Sequence, residues 1–272
     1  MTSKNKWLST PYVLWSIVFI IIPLGMIFYY GLTDKTGAFT LDNIIAISTV
    51  GHAKALRLSI LLSLAGTLLC FVLAYPLAMI LANMKISSHS FILLVFILPM
   101  WMNFLLRTLA WQTLLEKNGV INNVLTFLHL PSLKIINTPG AIILGMVYNF
   151  LPFMILPLYN TLSKIDTDVI NAAHDLGADW FHTFVRIILP LSVPGIISGV
   201  TMVFIPALTT FVISTLLGGS KLLLIGDVIE QEFTRASNWH LGSGLSIVLM
   251  IFIIINMIIS AVFDKDGEGS ML

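Results

Sequence analysis

Apolar and polar stretches alternate along nearly the whole chain. The apolar ones run from about 11 to 32, 56 to 82, 90 to 115, 139 to 162, 190 to 217 and 245 to 263. Each is long enough to cross the roughly 30 Å hydrocarbon core of a bilayer as a helix. The pattern therefore predicts an all-α polytopic membrane protein with six transmembrane helices in a single domain over residues 1–272. The first stretch is longer than the apolar part of a signal peptide, and no small-x-small cleavage site follows it, so it is read as a retained span. Pro76 is expected to kink the second span. Six spans put both termini on one side of the membrane.

One polar interruption stands apart, between the fourth and fifth stretches. Val169, Ala172, Ala173 and Leu176 fall at i, i+3, i+4 and i+7, and so share one face of a short helix. Gly177 follows, where a helix favours a left-handed residue without a Cβ. Phe181, Phe184, Val185 and Ile188 then repeat the spacing, and Pro190 is expected to stop it. The reading is two short amphipathic helices hinged at Gly177. Small alanines beside a glycine fit a knob pressed into another protein's groove. The same periodicity also fits an interfacial helix with its apolar face in lipid.

Composition narrows the class further. Hydrophobic residues make up 57% and charged residues 10% of the chain, far from a soluble domain's mix. The single Cys70 excludes a disulfide framework and a cysteine zinc site, and the six histidines lack metal-ligand spacing. No metal site is expected. A formal net charge of +1 argues against nucleic acid as a partner. Gly218-Gly219-Ser220-Lys221 does not meet the phosphate-loop pattern, so this chain is not expected to bind ATP itself. No catalytic constellation is found. Basic residues divide six against seven between the two sides, which leaves orientation undecided on charge alone.

Arg107 is the costliest residue within the spans, at about 3 kcal/mol near a helix centre on insertion scales. It either faces a cavity or partner, or lies near the span's end and snorkels to the interface. Asn103, four residues earlier, is expected on the same face, with Trp101 near the same level. Tyr148, Asn149, Thr209, Thr210, Ser214 and Thr215 are further candidates for a polar cavity, or else ordinary interhelical hydrogen-bond formers. All thirteen acidic residues fall outside the expected spans or at their edges, so no intramembrane carboxylate is available to couple protons or cations. Asp227, Glu230 and Glu232 make the connection after the fifth span acidic, and a solvated face is the expectation for each of them.

Ala172-Ala173 followed by Gly177 and, further on, Ile188-Leu189-Pro190 resembles the cytoplasmic "EAA" loop of ABC-importer permeases, here over 164–189. Asn171 stands where that loop usually has glutamate. The segments 99–107, 145–159, 206–207 and 217–226 are more specific. Over about residues 10 to 260 the chain resembles the first permease subunit of spermidine/putrescine importers, the PotB type. Thr215 stands where such relatives often carry Asp or Glu. The resemblance implies a type I ABC importer (MetI-like) permease fold in a bacterial cytoplasmic membrane, with both termini and the Gly177 loop inside. It implies four partners: the lipid bilayer, a second homologous permease, a dimeric ABC ATPase that alone binds ATP, and an extracellular substrate-binding protein. Asn171, Ala172, Ala173, Asp175, Leu176 and Gly177 would dock on the ATPase. Trp101, Asn103, Arg107, Tyr148, Asn149, Thr210, Ser214 and Thr215 would line the translocation path. A permease for another small solute, such as a phosphonate or ferric iron, is the alternative within this class. A stand-alone channel or ion-coupled carrier is the alternative outside it.

Overall fold

Among the described residues most of the long apolar stretches are helical, because intrasegment hydrogen bonding satisfies a backbone in lipid. The computed structural model describes residues 11–84 and 98–269. Four of the described helices are long and apolar enough to cross a membrane: α1 (Pro11–Gly31), α2 (Val50–Asn83), α5 (Pro139–Leu162) and the apolar part of α10 (Trp239–Gly269). Between them lie α3 (Phe104–Leu115), α4 (Val120–Phe127), α6 (Thr167–Asp175), α7 (Trp180–Leu191), α8 (Val193–Thr209) and α9 (Ile225–Thr234). Helices α7 and α8 together have the length and hydropathy of a fifth span, bent by 62°.

Three expected boundaries move. The third apolar stretch lies partly over residues 85–97, outside the described residues. Its described part is not one helix but a 3₁₀ turn, Leu98–Trp101, and then α3, which starts anew because Asn103 caps it. Pro190 does not end the second helix of the Gly177 loop. A π-helical turn, Phe184–Ile188, shifts the hydrogen-bond register just before it, and the helix runs on to Leu191. The fifth stretch is interrupted where Thr210 turns extended at φ −65° and ψ 139°, four residues after Pro206, and helix resumes as a π turn over Ser214–Gly218.

The described residues divide into two compact units. The first comprises residues up to 56 together with 228–252. Its packing is tight where α1 ends: a Cβ on Gly31 would meet Ile247 Cδ1 at 2.5 Å, and the Asn43 amide donates to the Thr33 carbonyl at 2.9 Å. His240 Nδ1 lies 2.7 Å from that same carbonyl.

The second unit, residues 57–227 with 253 onward, holds the hydrophobic core. Helix α2 contributes a buried stripe, Leu62, Cys70, Ala74, Ala78 and Leu81, and α5 contributes Ile142, Met146, Met154, Ile155 and Leu158. Helix α8 lies along α5, and glycines make the close approach possible. A Cβ on Gly195 would come within 2.9 Å of the Pro157 carbonyl and within 2.8 Å of Thr161 Cβ. The same atom on Gly25 of α1 would meet nothing within 4 Å.

That contrast sets a prediction. Gly195→Ala should destabilise the protein by about 1–3 kcal/mol, the usual penalty of overpacking. Gly25→Ala should be neutral or slightly stabilising. Thermal unfolding in detergent micelles measures both, and equal midpoints for the two variants would refute the close α5–α8 crossing.

Candidate functional site

The residues expected to line a path lie on α3, on α5 and on the broken stretch after α8. Helix α3 packs against α5 and against the Ser214–Gly218 turn, which brings these three elements together. The turn is held on α5 by its small residues: the space beside Gly145 is filled by Ile213 and Leu217, and that beside Gly218 by Ile142. The Asn137 N–H donates to the Leu217 carbonyl at 2.8 Å, and Gly219 adopts a φ of +62° against the Asn137 side chain.

Within this frame the residues differ in kind. Arg107 is buried at 6% exposure, and its Nε and Nη1 have no hydrogen-bond partner among the described residues. Asn103 does not share a helical face with it, because Asn103 is the N-cap of α3: its Oδ1 accepts from the N–H of Leu105 at 2.8 Å and of Leu106 at 3.3 Å. Trp101 is 78% exposed on the preceding turn. Asn149 is buried, donates to the Gly145 carbonyl at 2.9 Å and leaves its Oδ1 without a partner among the described residues. Ser214 is also buried, with its hydroxyl on the Phe211 carbonyl at 2.9 Å. Thr210 is buried at the interruption, and Thr209 returns its hydroxyl to the Ile205 carbonyl at 3.1 Å. Tyr148 is half exposed and meets Trp111 edge-on with ring centroids 5.2 Å apart. Trp111 was not among the expected residues, although an aromatic one α3 turn beyond Arg107 was visible in the sequence.

Asp227 departs furthest from expectation. It is 1% exposed, not a solvated acid. It lies at the third position of α9, and its Oδ2 accepts the N–H of Leu224, the residue before that helix, at 2.7 Å. This is the returning half of a capping box. Its Oδ1 accepts the Thr215 hydroxyl, also at 2.7 Å. The next N–H, that of Ile225, is taken by Ser59 Oγ of α2 at 2.8 Å. Gly226 lets this corner press on the interruption after α8: a Cβ there would lie 2.7 Å from the Thr209 carbonyl oxygen. The spacing of a helix start with an acid at its third position was the signal available in the sequence.

The Gly177 loop has the expected hinge. Gly177 takes a φ of +83°, its N–H donates to His174 O at 2.9 Å, and the N–H of Ala178 reaches Ala173 O at 3.0 Å, the paired bonds of a Schellman end. Ala173 is buried, whereas Asn171, Ala172, Asp175 and Leu176 are exposed, as are Val169, Trp180 and Phe181. Leu176, at 89%, carries an apolar surface that nothing among the described residues covers. Asp179 restarts the helix by accepting the His182 N–H at 2.7 Å, and its carboxylate lies 2.7 Å from His182 Nδ1. First the backbone N–H and then the ring of His182 hold the Asp179 carboxyl below the usual carboxylate range. A lowered folded value means that this cap is intact above the ordinary carboxylate pKa and is lost only as pH falls through the lowered one. Beside it, Leu176, Gly177, His182 and Arg186 line a groove of about 410 Å³. Among the described residues no group of three or more His, Cys, Asp or Glu could hold a metal ion.

Known proteins place this geometry. Residues 2–265 match the model of the family described as the binding-protein-dependent transport system inner membrane component. The chain is similar to the spermidine/putrescine transport system permease protein PotB of Escherichia coli, with 38% identity over 87% of this chain and 89% of that protein. The PotB of Haemophilus influenzae shows 36% identity over 87% and 86%, and the PotB homolog of Mycoplasma genitalium 30% over 80% and 76%. Among solved structures, a chain of a bacterial alginate ABC transporter in complex with its alginate-bound periplasmic protein superposes with a TM-score of 0.78 at 16% identity, covering 94% of this chain and 93% of that one. A chain of the methionine ABC transporter MetNI gives 0.56 at 17% identity, covering 79% and 95%. The fold is therefore that of a MetI-like ABC-importer permease.

The Thr215–Asp227 bond yields a prediction. Thr215→Val should cost about 1–3 kcal/mol, because it removes a donor from a buried carboxylate. Thr215→Asp should cost more, since it sets a second carboxyl group against the first. Thermal unfolding of both in detergent would show the bond to be unimportant if their midpoints match the unmodified protein.

Proposed function

The chain belongs to the family of binding-protein-dependent transport system inner membrane components, and from that premise we propose that it forms half of the membrane path of an ATP-driven polyamine importer. The observation that carries the substrate class is the 38% identity, across 87% of the chain, to a spermidine/putrescine permease. A family member of this kind is a multi-pass membrane protein that works with an ATPase and a binding protein. In our reading its partners are a second homologous permease, a dimeric ATPase that binds and hydrolyses the ATP, and an extracellular protein that delivers spermidine or putrescine.

The Gly177 loop docks on the ATPase. Its support is physical: the α6 face carrying Val169, Ala172 and Leu176 is exposed, as are Trp180 and Phe181 after the hinge. The ATPase lies where ATP is, so the loop and both termini face the cytoplasm. Polyamines are flexible cations, and the path offers them aromatic faces and a neutral oxygen: Tyr148 with Trp111, and the Thr215 hydroxyl. Cation–π contact supplies about 0.5–2 kcal/mol, enough for brief residence without trapping. Trp101, Asn103 and Asn149 complete the lining, and Thr210 and Ser214 shape it from beneath.

A second reading, an anionic solute such as a phosphonate, is favoured by one observation. Arg107 is buried, and two of its guanidinium nitrogens, Nε and Nη1, have no partner among the described residues. A guanidinium in that state suits an anion better than a cation.

Substrate binding separates the two readings. The purified partner binding protein should bind spermidine and putrescine and ignore phosphonates, as measured by calorimetry. The reverse preference would overturn the polyamine assignment and make Arg107 the leading substrate contact. Coupling is tested at the hinge. A Cβ on Gly177 would meet nothing within 4 Å, so Gly177→Val acts through the backbone alone. It should insert normally yet reduce ATPase co-purification and spermidine uptake by roughly tenfold, the equivalent of about 1.4 kcal/mol of strain at a β-branched residue with positive φ. Unmodified uptake by correctly inserted variant protein would sink the docking role.

A further inference from the structure

Tyr75 of α2 reaches 117 residues along the chain to Ser192, the residue on which α7 ends and α8 begins. The two oxygens are 2.8 Å apart and both residues are buried, at 6% and 0% exposure. Ser192 Oγ also lies 2.8 Å from the Leu189 carbonyl. A serine hydroxyl has one proton, and a carbonyl can only accept. Ser192 therefore donates to Leu189, and Tyr75 donates to Ser192. This fixes the direction of both bonds without any choice of rotor.

The ring of Tyr75 is engaged as well. It stands edge-on to Phe184, centroids 5.8 Å apart and planes at 87°. Phe184 in turn stacks on Trp180 at 5.5 Å with planes 6° apart. Trp180 is 63% exposed, three residues beyond the Gly177 hinge, on the loop read above as the docking surface. A continuous series of contacts thus runs from the exposed loop, through two rings at the start of α7, to a span helix and back to the bend of 62° at Ser192. Between its two ends on α7 lies the π-helical turn Phe184–Ile188. Such turns are rare within helices and occur frequently at functional sites.

We propose that the Tyr75–Ser192 hydrogen bond is a latch on that bend, and that Tyr75 is a positioning residue for transport. When the ATPase moves the loop, the displaced Trp180–Phe184 pair shifts the Tyr75 ring, and the hydroxyl holds or frees Ser192, setting the angle between α7 and α8. Movement of the loop thereby becomes movement of α8 and of the interruption after it. The proposal rests on the reading of the chain as an ATPase-driven permease, and goes beyond it by naming the bond through which docking acts.

The test uses the full complex of permease pair, ATPase and binding protein reconstituted in liposomes, with spermidine as the transported probe. Three variants are compared: Tyr75→Phe, Ser192→Ala and the two combined. The readout is spermidine taken up per ATP hydrolysed, which a merely structural loss of folded protein would not move. Phe fills the volume of Tyr, so Tyr75→Phe should lower the ratio by roughly fivefold, the effect of one hydrogen bond on a two-state balance, while hydrolysis continues. Ser192→Ala should be more severe, because it leaves the buried Tyr75 hydroxyl without its acceptor. Adding Tyr75→Phe should then partly rescue Ser192→Ala. An unchanged ratio in all three variants overturns the latch, as does a double variant worse than Ser192→Ala. If the unmodified permease fails to retain the ATPase, the permease reading itself falls and takes the latch with it.

Discussion

A peptide group surrounded by hydrocarbon has to find its hydrogen bond inside the protein, at a cost of several kcal/mol if it does not. The architecture of this chain follows from how it meets that demand at the places where helix stops. At Ser192 the N–H reaches back to Ile188 O at 2.9 Å and the hydroxyl to Leu189 O, so the bend leaves these groups satisfied. After Thr209 the answer is supplied from farther away. Thr209 and Ser214 turn their hydroxyls onto local carbonyls, while the N–H groups of Leu224 and Ile225 are taken by Asp227 and by Ser59 of α2. The interruption is thus a built corner rather than frayed helix, and it lies among the elements that carry the polar residues proposed for the path.

Small residues make these corners possible. Gly145, Gly195, Gly199 and Gly226 each sit where a Cβ would collide with a neighbouring helix or carbonyl. Close approach raises the dispersion contact between α5 and α8 in a solvent that gives helices no hydrophobic reason to associate. Asp227 shows the same economy in polar form. One carboxylate caps α9 and holds the turn bearing Thr215, so the shape of the turn and the position of the helix cannot change independently.

Much of this was legible from the pattern of apolar residues alone. The extents of α1 and α5 follow the apolar runs to within about one residue, and α2 and α10 only extend them by several residues at their polar ends. Run length and hydropathy are enough when a backbone has no alternative to helix. The Gly177 hinge was legible for a local reason, since a glycine directly after an amphipathic turn has few other uses. The interruptions were not. Thr210 lies in a run that stays apolar on both sides, and what allows the helix to stop there is Gly226 and Asp227, beyond any window of periodicity. Ser59 and Ile225 are 166 positions apart, and no spacing rule joins them. Asn103 illustrates the converse: a four-residue interval suggested a shared face with Arg107, but a side chain that accepts two backbone N–H groups starts a helix instead of riding on it. Pro190, a usual stop, is carried by the π turn before it.

The open space around Gly177 has a consequence of its own. Its positive φ is enforced by the two bonds of the helix end, yet there is nothing nearby for a side chain to strike. The restriction at this position is therefore one of handedness and not of size. The mirror-image residue, D-alanine, prefers this same left-handed region. Introduced there by chemical ligation, it would fit the hinge, narrow the unfolded chain's freedom, and stiffen the loop without altering a single contact in it.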